Sequence, residues 1–345
     1  MKRTLAVALA LSLLCSLALF SGGAPASGGA RAPKPCGLTT LDGTIDVSVL
    51  EEGAVLKCGP GQPIRVRENF VEGKDGRAKR REKLLSFVSM ADIQLADEES
   101  PLRAEWADKC EDHPFTSAFR PHETMVPHLM NAHVRAADAI AKKGSPILDK
   151  SFNFAIGLGD LADNNQLNEI EWIIDIFDGR QIINPDSGED TYDGVQVTVE
   201  GAPNAEPLLE SPVEEQSILE LANEPFWAVG LRQNGPMPWY SVAGNHDLKV
   251  QGTPPNTSGW RAFSDAWAQG GLKVQDMPPE KQQEACAGSP QEILDPAATG
   301  GTTKPVPADA KRTILSREEW RNAHFETTGV PDGHGFAKKN RCVNK

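Results

Sequence analysis

Apolar positions from residue 84 onward fall into two alternating patterns. Short continuous apolar runs at residues 84–90, 152–158 and 238–243 are typical of buried strands. Between the runs, apolar residues recur every three or four positions over residues 123–143 and again over residues 170–177, which predicts two amphipathic helices. Strand, helix, strand, helix, strand in this order predicts an α/β fold, in which crossover helices connect the strands of one sheet.

The segments around this core have different patterns. Residues 38–70 contain short alternating stretches that suggest strands, and residues 180–212 form a polar insertion with strand-like residues 195–199. Residues 214–231 have a third amphipathic helical pattern. Residues 248–345 are polar and rich in Pro and Gly, without a convincing apolar strand. The helices expected in that last segment lie at about residues 265–269 and 317–321.

The first 26 residues have the three-part pattern of a secretory signal peptide. A basic start is followed by an apolar stretch at residues 4–20 and by Ala24-Pro25-Ala26, which is similar to a cleavage site. A retained membrane anchor is the alternative, because 17 apolar residues are at the short limit of a membrane span. Cys15 does not indicate a lipoprotein, since leucines precede it where small residues would be expected. We therefore expect a secreted or periplasmic protein with no membrane span after removal of the signal.

Two further regions follow the signal peptide. Residues 27–83 predict an N-terminal extension with short strands and a basic linker. The basic run at residues 73–83 is interpreted as a solvated connector rather than an anion-binding patch, because charge runs usually face water. Residues 84–345 predict the main domain, with its motifs in residues 84–247 and a polar remainder at 248–345.

Charge and cysteine content narrow the possible functions. The chain of 345 residues has 48 acidic and 35 basic side chains, a net charge of -13, which argues against a general nucleic-acid-binding protein. Export favours disulfides, and five cysteines remain after the signal peptide. Cys36 and Cys58 are the preferred pair, because both lie in the same N-terminal segment. The pairing of the other cysteines stays open.

Each of the three predicted strands is followed by a cluster of polar residues. The clusters are Asp92-Ile93-Gln94, Gly159-Asp160-Leu161-Ala162-Asp163-Asn164 and Gly244-Asn245-His246-Asp247. Ligand sites in open α/β sheets lie beyond the carboxyl ends of the strands, so the three clusters are expected to meet. Carboxylate and amide oxygens suit hard cations such as Mn or Mg, and an imidazole widens the choice to Zn. The sequence therefore predicts a metal site that can act on a phosphoryl group.

In this order the three motifs resemble those of calcineurin-like metallophosphoesterases, over roughly residues 84–247. The resemblance implies a β-sheet sandwich flanked by helices, incomplete towards its C-terminal end. It implies two divalent or trivalent metal ions, with Mn or Fe favoured and Zn or Mg possible. Asp92 and Gln94 would hold the first ion, Asp160 would bridge both, and Asn245 would hold the second.

The same resemblance implies an activity and roles for three more residues. The activity is hydrolysis of a small phosphate mono- or diester by water activated on the metals. His246 would contact the phosphate and protonate the leaving group, with Asp247 tuning it. Asn164 would support the loop or the phosphate.

Two features depart from the family pattern. Gln94 stands where the family usually has a histidine ligand, which favours a harder metal such as Mn over Zn. The two later histidine motifs are not evident, and the remaining candidates, His324 and His334, do not follow apolar strands. The other histidines are expected to be surface or packing residues: His113, His122, His128 and His133. The acidic residues after position 185 are expected to lie in a solvated loop rather than to form a calcium site: Asp186, Glu189, Asp190 and Asp193.

The missing histidines leave two alternatives to an active enzyme. The chain could be an exported phosphoesterase-like protein that binds partners or anions without turnover. It could also be the front part of a longer enzyme, because only about three core strands are evident where a sheet usually has about five or six.

Overall fold

The computed structural model describes most of the chain after residue 35. The described residues are 36–50, 53–65, 67–80, 82–103, 105–110, 120, 123–144, 151–188, 224–233, 235–253, 257–287, 295 and 300–338. The chain divides into two units, Met1–Ile64 and Arg65–Lys345. The predicted signal peptide and the strand-like residues 195–199 lie outside the described residues.

The described part contains nine strands and five α-helices, numbered here in chain order. The strands are β1 (Gly43–Leu50), β2 (Gly53–Pro60), β3 (Phe87–Met90), β4 (Phe154–Gly157), β5 (Gln181–Ile183), β6 (Phe226–Ala228), β7 (Trp239–Ser241), β8 (Leu272–Asp276) and β9 (Thr302–Pro305). The helices are α1 (Val126–Lys143), α2 (Leu167–Asp178), α3 (Ser258–Ala268), α4 (Pro279–Cys286) and α5 (Arg317–Ala323).

The first unit contains a single described hairpin. Strands β1 and β2 pair antiparallel, with Ile45 opposite Cys58, as the alternating pattern predicts for this segment. A disulfide joins Cys36 to Cys58 across a Cα–Cα distance of 5.1 Å, which confirms the preferred pair.

The second unit is organised around a three-stranded parallel sheet in the order β3-β4-β7. Val88 pairs with Ala155, and Ala155 pairs with Trp239, so the three strands run in register and end at one edge. The apolar runs thus predict the positions of these strands correctly. Their expected complete burial is wrong for β3, where Phe87 is 46% exposed, because the described residues cover one face of this strand and leave the other open to solvent.

Helices α1 and α2 pack against each other, and their apolar stripes join the core beside the sheet. Helix α1 buries Met130 and Val134, and Gly144 ends it with φ 91°. Helix α2 begins with a capping box formed by Gln166 and Glu169, and Gly179 ends it with φ 71°. Both helices match the periodicity of the sequence, and the mixed α/β class is therefore confirmed.

Two small antiparallel sheets differ from the sequence predictions. Strand β6 lies inside residues 214–231, where the sequence pattern predicts a helix, so the prediction is wrong in this part. Phe226 and Ala228 are buried and Trp227 is exposed, which is the alternation with a period of two that is typical of a strand. Strands β8 and β9 pair within residues 248–345, where no strand was expected. The apolar pattern misses them because Lys273 is buried in β8, and β9 is the polar sequence TTKP. Helices α3 and α5 confirm the two helices expected there.

The polar C-terminal segment nevertheless contributes to a second apolar cluster. Trp106, Trp260 and Val274 are among its buried members. A second disulfide joins Cys110 to Cys286 at a Cα–Cα distance of 5.4 Å and lies against this cluster. Disulfides of this kind are typical of oxidising compartments outside the cytoplasm. Among the described helices, none combines the length and the apolar character needed to cross a membrane.

Candidate functional site

The loops after β3, β4 and β7 meet at the carboxyl edge of the central sheet. The backbone N–H of Asp92 donates to the carbonyl oxygen of Gly159 at 3.2 Å, and that of Gln94 donates to the carbonyl oxygen of Asp160 at 2.9 Å. The backbone N–H of His246 donates to Oδ1 of Asp160 at 2.9 Å. The structure therefore brings together residues from all three sequence motifs, as expected from the parallel strands.

Three polar residues of these loops have left-handed backbone conformations. The φ angles are 53° at Asp92, 49° at Gln94 and 49° at Asp160. Non-glycine residues adopt this region rarely and at a free-energy cost, and such residues concentrate at functional sites. Gly244 packs so closely on Asp160 that a side chain at position 244 would overlap the Asp160 carboxylate. The sharp turns are therefore set by backbone packing between the loops.

The ring of His246 lies beside a buried carboxylate. Its Nδ1 atom is 2.9 Å from Oδ1 of Asp163, although the two are not aligned for an ideal hydrogen bond. Burial lowers the pKa of His246, and the nearby carboxylate of Asp160 opposes this effect. The imidazole is thus held mainly neutral at neutral pH, with its Nδ1 side facing Asp163.

Asp247 connects two of the motif loops. Its carboxylate accepts hydrogen bonds from the backbone N–H groups of Leu161 at 3.0 Å, Ala162 at 2.9 Å and Gly244 at 2.8 Å. Its charge also raises the pKa of His246, in the sense expected of a residue that tunes this ring. The carboxylate that lies beside the ring itself belongs to Asp163. The main structural contribution of Asp247 is to join the second and third loops.

Asp163 belongs to a buried group of four charged side chains. Arg103 donates to Asp163 and to Glu123, and all three side chains are at most 1% exposed. Arg120 lies 3.0 Å from Glu123 and 2.8 Å from Oδ1 of Asp163. Two guanidinium groups and two carboxylates balance in charge, which makes burial of the group tolerable.

Asn164 supports the loop rather than the substrate. Its side chain is fully buried and donates to Oε1 of Glu169 at 2.6 Å, and its backbone N–H donates to Oε2 at 2.8 Å. Glu169 also accepts from the backbone N–H of Asp97 at 2.9 Å, and it is the N3 residue of the α2 capping box. Of the two roles expected for Asn164, the structure favours support of the loop, because a fully buried side chain cannot reach a substrate.

The donor chemistry of the site suits one hard cation better than two. Asp92 and Asn245 are exposed and Asp160 is half-buried. The side-chain oxygen of Asn245 has no hydrogen-bond partner within the described residues, since only its amide nitrogen donates, to Gly252 at 3.3 Å. The Oε1 atom of Gln94 accepts a hydrogen bond from Arg120 and is therefore already engaged. Within the described residues, no group of three or more His, Cys, Asp or Glu side chains is arranged to hold a metal. The expected two-ion centre remains a prediction.

The two late histidines are buried in the core beneath β7. His334 stacks on the ring of Trp239 with centroids 3.3 Å apart, and its ring nitrogens lie 3.1 Å from the Trp239 carbonyl oxygen and 2.7 Å from Thr327 Oγ1. His324 contacts the carbonyl oxygen of Trp320 through Nδ1 at 3.0 Å. Both rings contact Trp239, Thr327 or Trp320 in the core, so these side chains are not among the residues that the three motif loops bring together.

The remaining candidates from the sequence have packing or surface positions. His128 packs on Phe226 with ring centroids 4.5 Å apart, and His133 is exposed on α1. Asp186 is only 8% exposed, so the solvated loop expected there is wrong at this residue. The others lie outside the described residues. They are His113, His122, Glu189, Asp190 and Asp193.

Sequence reasoning missed the buried cations that organise this site. Arg103 and Arg120 lie in the long polar loop before α1, where no periodic pattern indicates a role. Asp163 was visible in the second motif, but its partner was not. The helical or strand period of apolar residues indicates which residues share one face of a single element. These contacts instead join residues that are 20 to 60 positions apart in the sequence.

Comparisons with protein-family models, curated proteins and solved structures found no significant match to this chain.

Proposed function

We propose that this chain is an exported, calcineurin-like metallophosphoesterase that hydrolyses phosphate mono- or diesters at the carboxyl edge of the β3-β4-β7 sheet. The observation that carries the proposal is the convergence of three polar loops on one edge, with left-handed φ angles at Asp92, Gln94 and Asp160. Ordinary turn chemistry explains one such loop, but it does not explain three at adjacent strand ends.

Asp92, Asp160 and Asn245 are the residues that would hold a hard divalent cation, for which Mn is favoured. A bound cation would polarise the phosphoryl group and lower the pKa of a bound water. Backbone hydrogen bonds hold the loops of Asp92 and Asp160 next to each other, and a cation bound by both carboxylates would relieve their mutual repulsion. The chain's own contribution is the rigid backbone that holds the loops in place.

His246 supplies the proton-handling group of the proposed reaction. Asp163 lies beside Nδ1 at 2.9 Å, and Nε2 lies close to Gly252. A phosphate dianion beside the ring would raise the pKa of His246 and favour protonation. His246 would then donate a proton to the leaving oxygen of the ester.

Hydrolysis of p-nitrophenyl phosphate and bis(p-nitrophenyl) phosphate with added Mn²⁺ tests this proposal. Asp160→Ala and His246→Ala are each expected to reduce kcat by at least about 100-fold, as for loss of a metal ligand or a general acid. Asp75→Ala removes an exposed carboxylate from the basic connector and serves as the matched control. Equal rates in all four proteins, or no hydrolysis by any of them, would contradict the assignment.

A non-catalytic binding protein is the second candidate function. It is favoured by the engagement of Gln94 by Arg120 and by the burial of His324 and His334, which leave the family's ligand set incomplete. Calorimetric titration with Mn²⁺ and inorganic phosphate separates the two candidates. Binding of phosphate without any turnover of either aryl ester would favour this second function.

A further inference from the structure

An apolar cleft lies between the edge strand β3 and helix α1. Its volume is about 570 Å³, within the range of small-molecule sites. The walls are mainly aliphatic and come from both elements: Val88, Met90, Val126, Leu129, Ala137 and Ile140. The cleft is open to solvent, since Leu129 is 43% exposed.

The cleft shares a residue with the candidate site. Asp92 is among the residues that line the cleft, and it is also the first candidate metal ligand after β3. A molecule with its phosphate at the carboxyl edge of the sheet would therefore direct its organic group along β3 into the cleft. Asp92 thus belongs both to the candidate site of the reaction and to the lining of the apolar cleft.

The residues that line the cleft indicate which kind of organic group it would bind. Ser89 and His133 are among the few polar side chains that line the cleft with Asp92. The hydroxyls of a sugar or a nucleoside would find few hydrogen-bond partners there, which costs free energy for each group left unpaired. An alkyl or aryl group would instead bury apolar surface against the aliphatic walls.

We propose that the cleft binds the apolar alcohol portion of the substrate, so that the preferred substrates are phosphate esters of alkyl or aryl alcohols. This inference rests on the proposed function for the position of the phosphate. The binding itself does not require turnover and is measurable separately.

Alkylphosphonates of increasing chain length are suitable probes, because their C–P bond resists hydrolysis. Titration calorimetry of the Mn²⁺-loaded full chain is expected to show affinity rising about threefold per methylene from methyl- to octylphosphonate, as each methylene is buried. Ala136→Trp places an indole in the cleft from an exposed helical position and should abolish this dependence. Leu129→Asp, which introduces a charge into the cleft wall, is a second variant with the same expected result.

Ala132→Trp is the matched control, because Ala132 is exposed on α1 and does not line the cleft. It should retain the full dependence on chain length. Equal affinity for all phosphonates, or an unchanged dependence in both cleft variants, would overturn the proposal. Chain-length dependence without hydrolysis of any aryl ester would support the cleft and count against the proposed catalytic function.

Discussion

Asp163 contacts two arginines and one histidine of the candidate site. Arg103 contacts Oδ2 of the Asp163 carboxylate, whereas Arg120 and the ring of His246 both contact Oδ1. A fully buried carboxylate is stable as an anion only when cations or donors compensate its lost hydration. The two arginines therefore place compensating positive charge on the Asp163 carboxylate next to His246.

Arg103→Met should destabilise the fold by about 3–5 kcal/mol, because it leaves Asp163 and Glu123 buried with one cation fewer. Chemical denaturation at neutral pH measures this loss. Arg135→Met removes an exposed arginine of α1 and should change the unfolding free energy by less than about 0.5 kcal/mol. The double variant Arg103→Met with Asp163→Leu should recover part of the loss. A variant Arg103→Met as stable as the control would refute this electrostatic argument.

The sequence predicts which loops meet, but it does not predict which side chains touch. Asp92, Asp160 and His246 were expected at one sheet edge, and their loops are adjacent there. The sequence did not indicate that Asp163 lies beside the His246 ring, or that the Asp247 carboxylate accepts hydrogen bonds from backbone N–H groups of two loops. Side-chain direction depends on the φ and ψ angles of each turn, which the apolar pattern does not encode.

At the scale of single elements, α2 connects the core to the candidate site. Its apolar stripe packs in the core, and its first turn presents Glu169 to the loop before it. Glu169 accepts from Asn164 and from the backbone of Asp97, so one carboxylate ties the first two motif loops to the helix. The capping box thus positions the site as well as the helix.

Glu169→Ala should reduce stability by about 2–4 kcal/mol, because several buried N–H donors lose their acceptor at once. Glu171→Ala on the same helix is the control, since its side chain is 39% exposed and pairs only with Lys311 at the surface. Thermal unfolding followed by circular dichroism compares the two, and amide exchange at Asn164 reports loosening of the loop. An equal, small shift for both variants would show that the network contributes little.

Elements that contain a long run or a regular stripe of apolar residues could be predicted from the sequence. Elements without such a pattern could not. Helices α1 and α2 and the three central strands follow from runs and stripes of apolar residues. Strands β5, β8 and β9 have three to five residues each. The central strands β3, β4 and β7 are equally short, but each lies in a longer run of apolar residues, which β5, β8 and β9 lack. Strand β6 has the aromatic residues Phe226 and Trp227, which a helical template also accepts.

At the scale of the second unit, buried polar contacts and a disulfide connect the polar C-terminal segment to the motif region. Arg312 lies 2.9 Å from Asp97, and Lys273 lies 2.7 Å from Glu105. Cys286 of α4 is joined to Cys110. The segment after residue 248 is therefore part of the same folding unit as the motifs, although its apolar content is low.

The two disulfides are expected to stabilise the protein by different amounts. The bridge from Cys110 to Cys286 closes a loop of sequence separation 176, against 22 for Cys36 to Cys58. Loop-closure entropy predicts a loss of about 5 kcal/mol for Cys110→Ala with Cys286→Ala, and about 3 kcal/mol for Cys36→Ala with Cys58→Ala. Denaturation of the oxidised variants tests the order. A larger loss for the short-loop pair would contradict the entropic account.

His324 makes the stability of the second unit depend on pH. The ring is fully buried among Trp320, Phe336 and Trp239, and burial lowers its pKa to about 4. Nδ1 faces the carbonyl oxygen of Trp320 and therefore carries the proton of the neutral ring. A positive charge on this fully buried ring would be surrounded by aromatic side chains and would lose its hydration by solvent.

The contribution of His324 to stability should therefore fall on acidification. The unfolded chain binds a proton at His324 with a pKa near 6.5 and the folded chain with one of about 4, so the unfolded state gains protons first as pH falls through this window. The contribution of His324 to stability is complete above the unfolded pKa, and about 2 kcal/mol of it is lost between pH 7 and pH 5. His324→Phe keeps an aromatic ring in the cluster and should remove this part of the pH dependence. His133→Phe, at an exposed position, should leave it unchanged. Parallel stability–pH curves for wild type and His324→Phe would mean that the ring is solvated in the folded protein.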